Sequence, residues 1–370
     1  MIILGVECTA HTFGVGIIEV IGKGKNIGDC GCKVLANEKD SYSSKDKGMI
    51  PDEIVQHHNN VAEDVLKQAF DKSGMGWKDV RLVAYSAGPG LDPALWAGYH
   101  IVKKWAETNG KKLIPTNHCA AHLSIGKVVN QLKEDPVYLY VSGVNTQIIV
   151  FDGGKYRVVG ETLDLGLGNM LDKFGRFIGL GFPAGPEIEQ LSKVGNYVTL
   201  PYIVKGMDVS FSGILTKCQQ LFESKISKKE LLKKQGKNVE LPDYISKEDL
   251  IILQKMQKQL DQPISKEDLC FSIQETCFAM LTEVVERALA HVNKGSLVLV
   301  GGVGANKRFC EMLNKMCRAR GANFYNVPMS LAGDQGAMIA WEGFLRKDEF
   351  GPDCKGKEIE VLPHWRADEV

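Results

Sequence analysis

Short apolar runs alternate along the chain with longer amphipathic stretches, a rhythm that predicts an α/β protein. Residues 2–6 and 12–20 read as two strands joined by a small polar turn, Glu7-Cys-Thr-Ala-His11. Such a turn lets backbone N–H groups approach a phosphate, although a plain hairpin turn fits the same residues. Pro51 to Leu66 opens with proline and acids and then spaces its apolar residues as a helix does. His57 and His58 on that helix either line a cleft or pack. Val80 to Ala84 is a buried strand, followed by a glycine- and proline-rich loop, a helix around Leu95–Thr108 and the strand Lys112 to Ile114. Val137 to Phe151 repeats the opening plan of strand, small polar turn and return strand.

The recurrence of that plan suggests two duplicated actin-like (ribonuclease H-like) domains with a nucleotide cleft between them, an analogy at the level of fold. The expected division is 1–134 plus about 335–370 for the amino-terminal domain and 135–334 for the carboxy-terminal one. Ser296 to Lys307 is a strand running into a glycine-rich turn and a helix. Its glycines stand as Gly-Gly-Val-Gly rather than as the dinucleotide fingerprint. Either a structural turn or a ribose lying against the main chain fits them. Residues 223–269 differ in kind, being rich in lysine and poor in aromatics. They carry three related segments beginning at Ile226, Ile245 and Ile264, each with a serine three residues before an acid. That is the capping-box pattern, and it predicts a surface insertion of short helices.

A length of 370 residues predicts about two domains, and 44% hydrophobic with 24% charged residues is ordinary globular composition. With a formal net charge of zero, any nucleic-acid contact must come from a local patch or a partner. Ten scattered cysteines read as reduced thiols. The apolar run at Met1 has no basic residues before it and reads as a strand rather than a targeting signal. No run is long enough to span a membrane, so a cytoplasmic protein is expected.

The chemistry is concentrated in Pro115-Thr-Asn-His-Cys-Ala-Ala-His122. If the stretch is helical, a spacing of four puts His118 and His122 on one face, where two imidazoles can clamp a transition metal or simply pack. Pro115 and Asn117 are suitable helix-start residues. A zinc protease would need His-Glu-x-x-His, and here Cys119 follows the first histidine. Asp334 lies just before an apolar helix and is either an N-cap or a ligand. With the histidines it would complete a nitrogen and oxygen set suited to iron or zinc.

Gly5 to Ile17, Asn117 to His122, Tyr140 to Gln147, Leu171 to Phe174, Val209 to Ile214, Gly301 to Asn306, Asp334 to Ala340 and the tail Arg366 to Val370 together resemble, in order, one family. The chain is similar to the tRNA N6-adenosine threonylcarbamoyltransferases, and within them to the archaeal and eukaryotic cytosolic type, the catalytic subunit of the KEOPS complex. That family belongs to the actin-like ATPase superfamily. The resemblance implies transfer of threonylcarbamoyl from threonylcarbamoyl-AMP to N6 of the adenosine beside the anticodon, in tRNAs reading codons that start with A, with release of AMP.

The same resemblance implies one divalent metal ion, iron or zinc, on His118, His122 and Asp334, with Tyr140 near or on it. Tyr140, Val141, Ser142, Gly143, Val144 and Asp172 would surround the acyl-phosphate end of the ligand. Gly185, Glu189 and Asn306 would hold ribose and base. ATP or AMP, optionally with Mg, is the alternative occupant of the cleft. No residue stands out as a general base. The implied partners are tRNA, an atypical small kinase-like protein docking on the amino-terminal domain, and further small KEOPS subunits, with the nucleus as a second compartment. Val144 and Cys8 replace family glycines, and Phe182 to Pro186 departs from the family's usual segment. A β-branched Val144 would crowd a phosphate or be barred from positive φ. An actin-like ATPase or sugar kinase, or a noncatalytic scaffold, are the competing readings.

Overall fold

The computed structural model describes residues 1–22, 30–43, 50–224, 263–349 and 360–370. Two five-stranded mixed sheets carry the fold. The first is built from β1 (Ile2–Glu7), β2 (Thr12–Ile21), β3 (Gly31–Ser41), β4 (Val80–Gly88) and β5 (Lys112–Asn117), in the order β3-β2-β1-β4-β5. Strands β1 to β3 pair antiparallel, while β4 and β5 join parallel. The second sheet repeats this with β6 (Val137–Val141), β7 (Thr146–Asp152), β8 (Lys155–Glu161), β11 (Ser296–Val300) and β12 (Asn323–Asn326), in the order β8-β7-β6-β11-β12. Its first three strands are again antiparallel and its last two parallel. The duplication expected from the two hairpins is therefore a duplication of whole sheets. The short hairpin β9 (Val204–Lys205) and β10 (Asp208–Val209) stands apart.

Helices α1 (Pro51–Ser73) and α2 (Asp92–Thr108) cover one face of the first sheet. Helix α3 (His118–Val129) follows β5 directly. In the second half lie α4 (Leu167–Phe177), α5 (Gly185–Ser192), α6 (Ser212–Ser224), α7 (Lys266–His291) and α8 (Lys307–Ala319), while α9 (Gly336–Leu345) returns to the first sheet. Ser265 begins α7 with a complete capping box, as the third lysine-rich segment predicts. The segments at Ile226 and Ile245 lie outside the described residues.

Two packing features position the chemistry. Strands β1 and β2 carry glycines where α9 crosses them: a Cβ on Gly16 would lie 2.0 Å from the backbone nitrogen of Ala337. Backbone-to-backbone approach of that kind lowers the start of α9, and with it Asp334, onto the strand ends. Helix α3 is buried on all sides. Ala121 and Ile125 join the core under the first sheet, whereas Cys119 and Leu123 join Tyr138, Tyr140, Ile149 and Val298 of the second. A helix apolar all round must be enclosed, and α3 is enclosed between the two sheets.

Candidate metal centre

The first turn of α3 is stabilised by Asn117, whose side-chain oxygen accepts from the Ala120 N–H at 3.0 Å. The turn places the imidazoles of His118 and His122 with ring centroids 4.8 Å apart and nearly perpendicular planes. Asp334 meets them. Its Oδ1 is 3.3 Å from Nε2 of His122 and 3.6 Å from Nε2 of His118. Three donors about 2.1 Å from one tetrahedral ion would stand about 3.4 Å from each other; the two Asp334 separations match that, and the three donors together lie within 4.8 Å. Among the described residues this is the one group of three or more His, Cys, Asp or Glu side chains able to hold a metal. Asp334 is not the helix cap, because Gln335 accepts from the Met338 N–H and takes that role.

A residue that sequence reasoning passed over completes the arrangement. Glu7, at the end of β1, is wholly buried. Its Oε2 lies 2.9 Å from Nδ1 of His118, and its Oε1 accepts from the N–H and hydroxyl of Thr9 at 2.8 and 2.5 Å. A carboxylate on Nδ1 fixes the tautomer that leaves Nε2 free for a metal, as outer carboxylates do in metalloproteins. The only sequence signal was an acid ending an apolar strand two residues before a threonine. Burial opposes charge on His118, yet the Glu7 and Asp334 carboxylates outweigh it and raise its pKa to about 9. Burial lowers that of His122. For Asp334, burial works against ionisation, but the two imidazoles hold its carboxyl well below the usual range.

The remaining expected residues fall into two groups. Tyr140 is buried with its ring 5.2 Å from that of His122, and Asn145 Nδ2 stands 3.5 Å from its hydroxyl. Val141 is the buried last residue of β6. The turn Ser142-Gly143-Val144 is pinned to the start of α4, since Gly168 N–H donates to the Ser142 carbonyl and Asn169 N–H to that of Gly143. Asp172, on α4, accepts from Ala184 N–H at 2.8 Å, and burial raises its pKa. The ring of His11, in the first turn, lies 6.3 Å from that of Phe182. In the other group, Gly185 begins α5, and Glu189 Oε1 accepts from the Lys307 N–H beside Asn306. Asn306 caps α8 through its oxygen and donates to Gln274 through its nitrogen.

Three readings left open in the sequence take a definite form. Val144 does not adopt positive φ, and its side chain is 67% exposed, so it neither strains the turn nor fills it. Cys8 points away from the turn into α2, where Gly98 leaves it room, and burial pushes its thiol up to about 12. His58 is fully buried against Phe13, and His57 bonds Asp40 at 2.8 Å, so the pair packs rather than lining a cleft. Gly301, at φ 92°, allows β11 to pass β6, where a Cβ would meet the Val141 carbonyl at 2.4 Å. That glycine answers to packing.

Comparison with known proteins gives a family match. The family model described as tRNA N6-adenosine threonylcarbamoyltransferase matches residues 33–341. The chain is 40% identical to the tRNA N6-adenosine threonylcarbamoyltransferase of Thermofilum pendens, covering 100% of this chain and 95% of that one. It is 41% identical to the protein of the same name from Thermococcus kodakarensis, covering 100% and 98%. Among solved structures, full-length HypF in its phosphate- and nucleotide-bound form aligns at a TM-score of 0.54 and 13% identity, over 95% of this chain and 47% of that one. That likeness is one of fold.

Proposed function

The chain belongs to the tRNA N6-adenosine threonylcarbamoyltransferase family, and from that premise we propose that His118, His122 and Asp334 hold the metal ion serving its acyl transfer. The protein is a transferase that places threonylcarbamoyl on N6 of an adenosine in tRNA. We read threonylcarbamoyl-AMP as the donor and the adenosine beside the anticodon, in tRNAs reading codons that begin with A, as the acceptor. The exocyclic amine attacks the carbamoyl carbonyl, and the C–O bond to the phosphate breaks to release AMP. A bound divalent ion, iron or zinc, would supply Lewis-acid stabilisation of negative charge on the donor's oxygens.

The chain's own groups divide the remaining work. Glu7 holds His118 so that Nε2 faces Asp334. The Ser142–Val144 turn, locked onto α4, offers a preorganised main-chain edge to the acyl-phosphate, with Tyr140 and Val141 behind it. Asp172 faces the same space from α4 and orients the ligand. Gly185, with open space where a Cβ would stand, leaves room for ribose beside Glu189 and Asn306. No side chain here is assigned proton transfer.

We place the amino-terminal lobe at 1–134 plus 335–370 and the carboxy-terminal lobe at 135–334, with the donor between them. Zero net charge fits tRNA bound jointly with the small kinase-like protein and other small KEOPS subunits. No described helix is long and apolar enough to cross a membrane, and we assign the work to the cytoplasm and nucleus. The observation that carries this reading is the convergence of His118, His122 and Asp334, distant in sequence, within 4.8 Å. Its test is AMP release and threonylcarbamate incorporation into tRNA with the adenylate and partner subunits supplied. His118→Ala together with His122→Ala should abolish both, and unimpaired transfer would remove the metal from the account.

A further inference from the structure

The carboxy-terminal segment from Glu360 onward takes no part in the mechanism, yet it runs from one sheet to the other past the start of α3. It is tied first to β4. Tyr85 donates its hydroxyl to the Glu360 carbonyl at 2.9 Å, and Leu362 N–H donates to Ala87 at 2.6 Å. Gly88 exists for this passage: a Cβ there would lie 1.9 Å from the Leu362 carbonyl oxygen. Gly90 N–H, in the following loop, donates to Pro363 at 3.1 Å. Trp365 then enters the first-sheet core beneath the Arg346 guanidinium, 4.9 Å from its ring. Two residues later Ala367 is buried among Tyr138, Tyr140, Cys119 and Leu123, where α3 meets the second sheet. Arg366 reaches Glu161 of β8.

Between those two anchors the segment meets Asn117. The Asn117 Nδ2 donates to the carbonyls of both Trp365 and Arg366, at 3.1 and 3.2 Å, while its Oδ1 caps α3. One buried amide thus joins the cap of the ligand-bearing helix to a strap that touches both sheets and ends in the 3-10 turn Ala367–Glu369. Both of its N–H bonds and its oxygen are committed, so its orientation is fixed. We propose that residues 362–369 form a positioning strap for the metal centre, acting through Asn117 to fix the first turn of α3 and so the direction of the His118 and His122 imidazoles. The strap explains why the residue before the first histidine is an amide rather than another good cap. Serine or aspartate would satisfy the helix but could not donate to two carbonyls at once.

This rests on the metal reading above, and the test separates the two. Asn117→Ser and Asn117→Asp retain a capping oxygen and lose the strap bonds. Each should weaken Co2+ binding to the purified full chain about tenfold, the usual scale for an outer-sphere partner, and alter the cobalt visible spectrum. In the metal-free protein, hydrogen exchange of the 119–123 amides should quicken in both. Wild-type Co2+ affinity in both Asn117 variants overturns the strap, provided His122→Ala abolishes binding. If His122→Ala also binds as wild type, the metal reading falls, and unchanged exchange in the Asn117 variants then overturns the strap.

Discussion

Replacing Glu7 by glutamine changes no volume, yet it cannot serve both Thr9 and the metal-binding tautomer of His118, which is protonated at Nδ1. In the wild type one carboxylate oxygen faces the Nδ1 of His118 and the other accepts two donors from Thr9. A glutamine amide can satisfy one side only. With its oxygen toward Thr9, its NH2 meets Nδ1 and forces the proton onto Nε2, the atom that faces Asp334. With its oxygen toward His118, the NH2 confronts the Thr9 N–H. In either arrangement the metal-binding tautomer of His118, protonated at Nδ1, leaves one buried donor unmet, at a cost of about 1–3 kcal/mol, which converts to roughly 10–100-fold in metal affinity, the range seen for such outer carboxylates. Isothermal titration of metal-free protein with Co2+ or Zn2+ reads this directly. The same experiment reads a proton. Since His118 is charged below about 9 without metal, binding at neutral pH must expel about one proton, visible as a dependence of heat on buffer ionisation enthalpy. Equal affinities for wild type and Glu7→Gln, with no proton release in either, would refute the reasoning.

Three further outcomes follow from particular contacts. Glu342, on α9, is buried with one oxygen unpartnered, and burial lifts its pKa from 4.5 to about 7 despite Ser124 and Arg346. A carboxyl with a raised folded-state pKa favours folding fully below about 4.5 and loses that contribution as pH rises through 7. Thermal unfolding should therefore find Glu342→Gln gaining on wild type between pH 5 and pH 8.5, by about 2–3 kcal/mol at the upper end. A Cβ on Gly98 would lie 2.0 Å from Cys8 Sγ. Gly98→Ala should cost about 1–3 kcal/mol by denaturant titration, most of it recovered by adding Cys8→Gly. Val144→Gly, at an exposed position with ordinary φ, should leave Co2+ affinity unchanged and lower the melting temperature by no more than a few degrees.

What the chain discloses in one dimension is local. Hairpin turns, the Pro51 helix and the His118–His122 spacing are all periodicities of a single element, so they can be read before any folding is known. The local pattern left Asp334 as either cap or ligand, and only the family resemblance implied a ligand. The choice depends on Gln335 taking the cap and on glycines in β1 and β2 letting α9 press close. Glu7 escaped notice because its partner His118 is 111 residues away and adjacent only through the sheet order. The Val144 and Cys8 substitutions looked disruptive because each adds a side chain to a turn where the family has a glycine. In three dimensions one side chain points to solvent and the other into the notch at Gly98. The duplicated strand order lies beyond any motif, since it needs pairings between β6 and β11 across the whole second half.

The most direct trial of the account is anomalous diffraction from crystals of anaerobically purified, metal-loaded protein, collected on either side of the iron and zinc edges. A single strong peak is predicted, bonded to Nε2 of His118, Nε2 of His122 and a carboxylate oxygen of Asp334, with Glu7 still on the far nitrogen of His118. A peak on other residues, or fully loaded crystals in which Asp334 turns away from both imidazoles, would contradict it.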